Sequence, residues 1–546
     1  MRRNHSTPSL LLALTLVLGA PTAEAQCPSG SGITGLRSFP LALDSRVIYV
    51  SSSSGNDANS GLSPQAPKKT LGAGYALLRN GFSDRLLLRS GDDFKTTPFL
   101  EWNISGRSPT EPTGISTYGG PVRARLSPPQ NSGAITNFRT PIRNVFFENL
   151  HLEPRSYDPS QQWGGTGLTI LNNAENVVLQ NLRIVRFAGG LVVQGASTAR
   201  ARNILVQYNV VYDNHVTTPP PEAAAPTHSQ GAYFSNIDDL VLKHNFFDEN
   251  GHQLALPRTA TIFNHNVYIQ GDNRSVIAEG NVLARAAAHG MQLRPFGIAE
   301  NNLFLENPIA MNVGSGQNDP VYARNAGSWV TRNVVIGSRD INGKTPRGFG
   351  FMFIGGGGHL IDNNIFAHRG DTGMDRAIQL GAYPGFEMGF AMVVDNKVYN
   401  WGRDLSLNFR APLGGTLLLH GNKFHEVSTG APVLHLENGT QPPVISGSNR
   451  MSCASMARGE QCVAGFGSTV TTPAQLFNSL GDTTSVQGTS LFADPGRTVA
   501  RYYNERRGTT TGLAGFYAES REQGGANGWA CELLAPQVND WVRAGF

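Results

Sequence analysis

HNVYIQGDNRSVIAEGNVLARAAAHGMQLR, residues 265–294, holds one complete unit of a repeat and the opening of the next. It starts with a short apolar run, Asn266-Val267-Tyr268-Ile269-Gln270, and turns through polar residues into a second run, SVIAEGNVL, around Asn281. Another turn follows, and a fresh run opens at Gly290. Period-2 alternation sends Val267 and Ile269 to one side of the first run and Tyr268 to the other. Runs this short cannot bury an apolar face alone. Stacking unit on unit buries a continuous core and pairs each run in parallel with its successor.

The pattern of two or three apolar residues, a few polar ones, Asn, and two more apolar residues recurs along the chain. It reads NVFFENLHL at Asn149, NVVLQNLRI at Asn181, NILVQYNVV at Asn209 and DLVLKHNFF at Asn245. It continues as GIAENNLFL at Asn302, SWVTRNVVI at Asn333, HLIDNNIFA at Asn364, MVVDNKVYN at Asn396 and LLLHGNKFH at Asn422, and ends in a degenerate VISGSNRM at Asn449. The intervals are irregular, which fits a constant core with loops of variable length. Asn suits the corner between two strands because it tolerates left-handed backbone, and stacked Asn side chains can bond to one another as a ladder. The LxxLxL spacing of leucine-rich repeats is absent.

Residues 26–125 read as an N-terminal strand and cap region, with a strand at Val47-Ile48-Tyr49-Val50, a polar loop, a short amphipathic helix through Tyr75, Leu77 and Leu78, and another strand at Arg85–Arg89. Residues 126–450 form the solenoid, and residues 451–546 a partly helical C-terminal capping region that would cover its open end. Two stretches add a likeness. GNDANSGLSP with PKKTL and DRLLLRSGDDF near the start, and DPGRT…YY with VNDWVRAGF near the end, resemble secreted bacterial proteins of the pectate-lyase-like superfamily. That resemblance implies a right-handed parallel β-helix, and it covers polysaccharide lyases, polygalacturonase-type hydrolases, uronan epimerases and non-catalytic binders.

Glycine is abundant (63 residues) and charge is sparse (15%), which favours a turn-rich β protein over a helical one. The formal charge of +4 is slight; it permits an acidic substrate and gives no case for nucleic acid. Residues 1–25 read as an export signal: Arg2 and Arg3, an apolar run from Leu10 to Leu18, and Ala23-Glu24-Ala25 as the cleavage site. No run is long enough to span a bilayer, so a secreted or periplasmic monomer without membrane insertion is expected. Four cysteines in an exported chain point to disulfides. Cys453 with Cys462 is the expected pair, leaving Cys27 and Cys531 to join the two ends.

Aligning the strand before each Asn by its opening small residue yields the rows Gly190–Gln194, Gly231–Ser235, Asn266–Gln270, Gly290–Arg294, Ala310–Gly314 and Gly350–Ile354. The outward columns then read Val192, Tyr233, Tyr268, Gln292, Asn312, and Gln194, Ser235, Gln270, Arg294, Gly314. His265 and His289 sit one coil apart just before the strand, with His228 and Gln230 at the corner below. His265, Tyr268, His289 and Arg294 are the expected catalytic set; Tyr233, His228, Gln230, Gln270, Gln292 and Asn312 are the expected substrate contacts. The rows after Asn333 offer nothing comparable. Glu300 is an acid at hand to pair with Arg294. The insertions Thr217–Thr227 and Gly314–Gly327 would wall the patch.

Hydrolysis of a glycosidic bond uses two carboxylates. Only Asp238 and Asp239 are adjacent near the patch, and the NTD, GHG and DPHD motifs of the superfamily's hydrolases and epimerases are absent. The outward columns carry almost no acid for calcium, so no metal or other cofactor is expected. Tyr, His, Arg and Gln instead supply a base, an acid and a cation for removing the proton beside a uronate carboxylate. The expected function is a lyase that cleaves an acidic, uronic-acid-containing polysaccharide by β-elimination. A hydrolase, an epimerase or a non-catalytic carbohydrate-binding surface protein on the same fold is the alternative. Lys344 and Arg347 are candidates for binding substrate carboxylates, and Arg369, Asp371, Asp375 and Arg376 form a charged loop.

Overall fold

In the computed structural model the chain winds as a right-handed parallel β-helix, each coil giving one strand to each of three sheets. The structure describes residues 35–217, 228–253, 260–314, 319–320, 325–341, 345–370, 372–411, 413–427, 433–437, 444–453, 463–465, 483–484 and 490–546. The export signal, Cys27, Lys344, Asp371 and Cys462 lie outside these residues, as does the expected Cys453–Cys462 pair. Among the described residues the first sheet has 14 strands, from Val47–Val50 to Val444–Gly447, and the second 14, from Asp93–Phe94 to Thr483–Thr484. The third has 13, from Leu100–Glu101 to Val463–Gly465. Stacking begins inside the expected cap: Arg85–Arg89, Asp93–Phe94 and Leu100–Glu101 already form a coil.

Inward side chains fill the solenoid. Val267, Ile269, Met291 and Leu293 are at most 1% exposed. Val267→Asp or Leu293→Asp would put an unpaired charge into that stack, a cost of several kcal/mol. Either variant is expected to lose the β-type circular dichroism of the folded chain; a native spectrum would count against the packing described.

Asparagines brace the corner between the first and second sheets. From Asn209 to Asn449 each Nδ2 donates to the Oδ1 of the next, at 2.9 Å for Asn245 to Asn281 and 2.8 Å for Asn422 to Asn449. Each Oδ1 also accepts a backbone N–H from the coil below, as Asn281 does from Asn245 at 3.0 Å. The rungs hold whether 36 residues separate them, as from Asn245 to Asn281, or 21, as from Asn281 to Asn302. The left-handed residue is not the ladder Asn, contrary to expectation, except in the early coils, where Asn149 and Asn181 have φ 54°. From Asn209 on it is the residue before, such as Tyr208 (φ 51°), His244 (53°) and Arg332 (57°). The corner sets the backbone, and the ladder bonds offset the ~1–2 kcal/mol that a non-glycine residue loses there.

The C-terminal segment is helical, as expected: Val499–Arg507, Gly512–Arg521 and Ala535–Arg543. Its place differs. It lies along the flank of the solenoid, across coils from Asn181 to Asn363, rather than over the open end. Trp529 Nε1 donates to Asn181 Oδ1 (3.1 Å), Asn539 Nδ2 to Asn301 O (3.0 Å), and an Arg543 guanidinium nitrogen to Asn363 O (2.8 Å). The reason is apolar surface. Val210, Phe246, Val282, Leu303, Val334 and Ile365 form a cluster on the outside of the second sheet, and Val499, Tyr502, Phe516, Val538 and Val542 cover it. Cys531, between the last two helices, is disulfide-bonded. No helix among the described residues is long and apolar enough to cross a membrane.

Candidate active site

The third sheet carries the expected columns in the expected register. Tyr233 pairs with Tyr268, Tyr268 with Gln292 and Gln292 with Asn312. At the strand openings Gln230 pairs with His265, and His265 with His289. Because Val267 and Ile269 fill the core, the residues between them must face out.

His265 and His289 meet through Nδ1 atoms 2.9 Å apart. One Nδ1 therefore carries a proton and the other accepts it. The donor ring then presents a bare Nε2, and the acceptor ring an Nε2–H. No described residue hydrogen-bonds to either Nε2. Burial, followed by the nearby His289, holds His265 well below the ordinary imidazole value. Burial, followed by Arg347, pushes His289 down to about 3. The pair is thus neutral at neutral pH and offers one acceptor and one donor. Gln230 fixes its base: its Oε1 accepts the His265 backbone N–H (2.9 Å) and its Nε2 donates to Phe263 O (3.0 Å).

Tyr268 lies edge-on to His265, ring centres 5.2 Å apart, and edge-on to Tyr233 at 5.5 Å. Its hydroxyl accepts from the Arg294 guanidinium. Burial raises the Tyr268 phenol above its usual value, and Arg294 opposes that rise. Arg294 is held from the other side by Asp319, at 2.8 Å, rather than by Glu300, which lies on the first sheet. Asp319 belongs to the Gly314–Gly327 insertion and packs over Gly271, where a Cβ would fall 2.3 Å from the Asp319 carboxyl carbon. Gln270 reaches Arg294 only at 3.4 Å.

These groups border a cleft of about 390 Å³. Seven expected residues line it: His228, His265, Tyr268, His289, Gln292, Arg294 and Asn312. Tyr233, Gln230 and Gln270 stand beside or behind it. The buried Asn312 Oδ1 has no hydrogen-bond partner among the described residues. The apolar walls, Ile262, Phe263, Ile309, Phe349, Met352 and Ile354, were not expected. Arg347 also lines the cleft, its guanidinium 5.8 Å from the Phe349 ring centre, and makes no ion pair with a described residue. Its basic loop was the only sequence signal.

The later rows of the third sheet carry polar groups of their own. Glu437 accepts from Ser406 Oγ (2.9 Å) and Asn408 Nδ2 (2.7 Å) and pairs with Arg376 (3.0 Å). Glu437 thus ties three coils together, while the buried Asn408 Oδ1 and Arg376 Nε have no hydrogen-bond partner among the described residues. In the charged loop, Arg369 and Arg403 both pair with Asp375. Asp238 pairs with Arg200 at 2.8 Å on the first sheet, away from the cleft. Among the described residues no group of three or more His, Cys, Asp or Glu is placed to hold a metal ion.

No family model matches the chain, and no curated protein matches it. Solved structures do. A GH136 lacto-N-biosidase from Eubacterium ramulus matches at 14% identity over 73% of this chain and 67% of its own, with a TM-score of 0.35. Pectate lyase Pel9A matches at 14% identity over 61% of this chain and 79% of its own, TM-score 0.34. An alginate lyase from Paenibacillus sp. str. FPU-7 matches at 12% identity over 81% of this chain and 99% of its own, TM-score 0.28.

Proposed function

We propose that this protein is a secreted or periplasmic lyase that cleaves an acidic, uronic-acid-containing polysaccharide by β-elimination. One observation carries the reading: the chemistry of the cleft lining. It combines a neutral imidazole pair, a phenol on a guanidinium, and a second guanidinium with no ion-pair partner among the described residues. No carboxylate is among the described residues that line it, whereas glycoside hydrolysis calls for two.

The roles follow from the protonation states. Arg347 faces the substrate carboxylate and stabilises the charge that grows there when the neighbouring proton leaves. The bare Nε2 of the histidine pair takes that proton. A bound carboxylate also offsets the burial that depresses both imidazoles and the Arg347 field on His289, raising their basicity when it is needed. Tyr268, protonated because burial favours the neutral phenol, gives its proton to the departing glycosidic oxygen as the C–O bond breaks and the C=C bond forms. The phenolate left behind rests on Arg294, which Asp319 holds in place. Proton return from the imidazolium to Tyr268 completes the cycle. Asn312 and Gln292, both on the cleft lining, remain for sugar hydroxyls.

Incubation with a panel of uronic-acid polymers tests the reading. Unsaturated products absorbing in the ultraviolet are expected. Reducing ends without absorbance would make the protein a hydrolase, inverted uronates without cleavage an epimerase, and binding without turnover a carbohydrate-binding surface protein. The pH profile tests the base. Both imidazoles are neutral far below 6.5, so the acid limb of kcat/KM is expected well under that value. A limb at about 6.5, the ordinary histidine value, would assign the base elsewhere.

A further inference from the structure

The outer face of the first sheet carries one unbroken apolar column. Its members stand in register, one per coil, from Leu205 and Val241 through Ile277, Ile298 and Trp329 to Ile445 in the last coil. At its lower end the chain covers the column itself: Phe39 stacks on Phe146 with ring centres 4.4 Å apart, and Phe146 is only 2% exposed. From Leu205 on, the column is half-exposed or exposed, Trp329 by 45% and Ile445 by 54%. An apolar strip with polar rims, continuous with a stretch that is already covered, is the anatomy of an interface.

The rims identify the occupant. In two successive coils the ends of the strand carry opposite charges: Asp238 and Lys243 on Ile237–Lys243, Arg274 and Glu279 on Arg274–Glu279. The sign also alternates from coil to coil: Lys243 lies 3.0 Å from Glu279, and Arg274 4.0 Å from Asp238. We infer that this face binds a second copy of the chain, column against column, about a two-fold axis parallel to the solenoid. That axis sets each strand across from the same strand of the partner, running the opposite way. Asp238 then faces the partner's Lys243, Arg274 faces the partner's Glu279, and the reciprocal pairs close two four-charge networks around an apolar seam.

The size fits. Nine strands, from Ala201–Gln207 to Val444–Gly447, carry the open part. At about 4.8 Å per step and roughly 18 Å of strand width, they cover about 700 Å², close to the ~800 Å² per partner of a standard interface. The cleft lies on the third sheet and stays open. This arrangement replaces the monomer expected from the sequence, and it does not depend on the proposed chemistry.

Sedimentation velocity on the full mature chain tests it. The wild type is expected at twice the chain mass at micromolar concentration, and Trp329→Glu at the single mass with its circular dichroism unchanged. Lys243→Glu should weaken the dimer tenfold or more. Ile277→Cys and Met392→Cys should each form a disulfide with the same position of the second copy. A monomeric wild type would overturn the inference, whether the face is bare or belongs to an unrelated partner. So would a dimer indifferent to Trp329→Glu. A dimer that links neither cysteine variant would overturn the parallel axis.

Discussion

Tyr268→Phe is expected to lower kcat about a hundredfold or more, the usual contribution of a positioned acid, and to leave the melting temperature unchanged. The substitution removes one oxygen and keeps the ring that packs edge-on against His265 and Tyr233. Tyr268 faces outward, so no core cavity opens. Its hydroxyl touches Arg294, which keeps Asp319 as a partner when the oxygen is gone. His265→Ala should cost about as much, because it removes one half of a pair in which each ring fixes the tautomer of the other. Full activity of both variants on the true substrate would place the chemistry outside the cleft. Loss of activity together with a lowered melting temperature would make the pair structural.

Ending the chain at residue 489 is expected to abolish soluble expression. The lost helices cover Val210, Phe246, Val282, Leu303, Val334 and Ile365, each at most 3% exposed in the intact protein. At roughly 1.5–3 kcal/mol per large apolar side chain, exposing six costs on the order of 10 kcal/mol, comparable to the whole stability of an ordinary domain. Carbonyls of Asn301 and Asn363 would also lose their donors. Val538→Asp is a point version that keeps the chain length and Cys531; it should lower the melting temperature sharply. A truncated chain that stays soluble and melts with the full-length protein would show that the solenoid stands alone.

The sequence announced the strands and their columns almost completely, because period 2 leaves a short strand little choice. Once Val267 and Met291 are core, Tyr268 and Gln292 are adjacent on the outside, and His265 and His289 stack one step earlier. What it did not announce comes from longer range. Asp319 sits in an insertion whose return path no periodicity encodes, and for the same reason Arg347, a candidate for substrate carboxylates, could not be placed beside the histidines. The helical tail reads as amphipathic, but an amphipathic pattern does not say which apolar surface it will meet. The signal was present in the second sheet, where Val210, Val282, Leu303 and Val334 make apolar strand starts that solvent would not tolerate. The left-handed corner was misassigned by one position because Asn was credited with both tasks, while Tyr208 and Arg332, poor formers of that geometry, carry one of them.

The asparagine ladder has a consequence for editing this chain. Its rungs meet at the same spacing whether 21 or 36 residues separate them, so the core counts coils and is indifferent to contour length between them. A peptide inserted between Gly314 and Gly327, or a loop exchanged there, alters the segment whose Asp319 holds Arg294 and no rung. A single residue placed inside a strand would swap the inner and outer faces beyond it at once. The molecule is therefore a scaffold with a built-in grammar: its loops are rewritable text, and its coils are the lines on which that text is set.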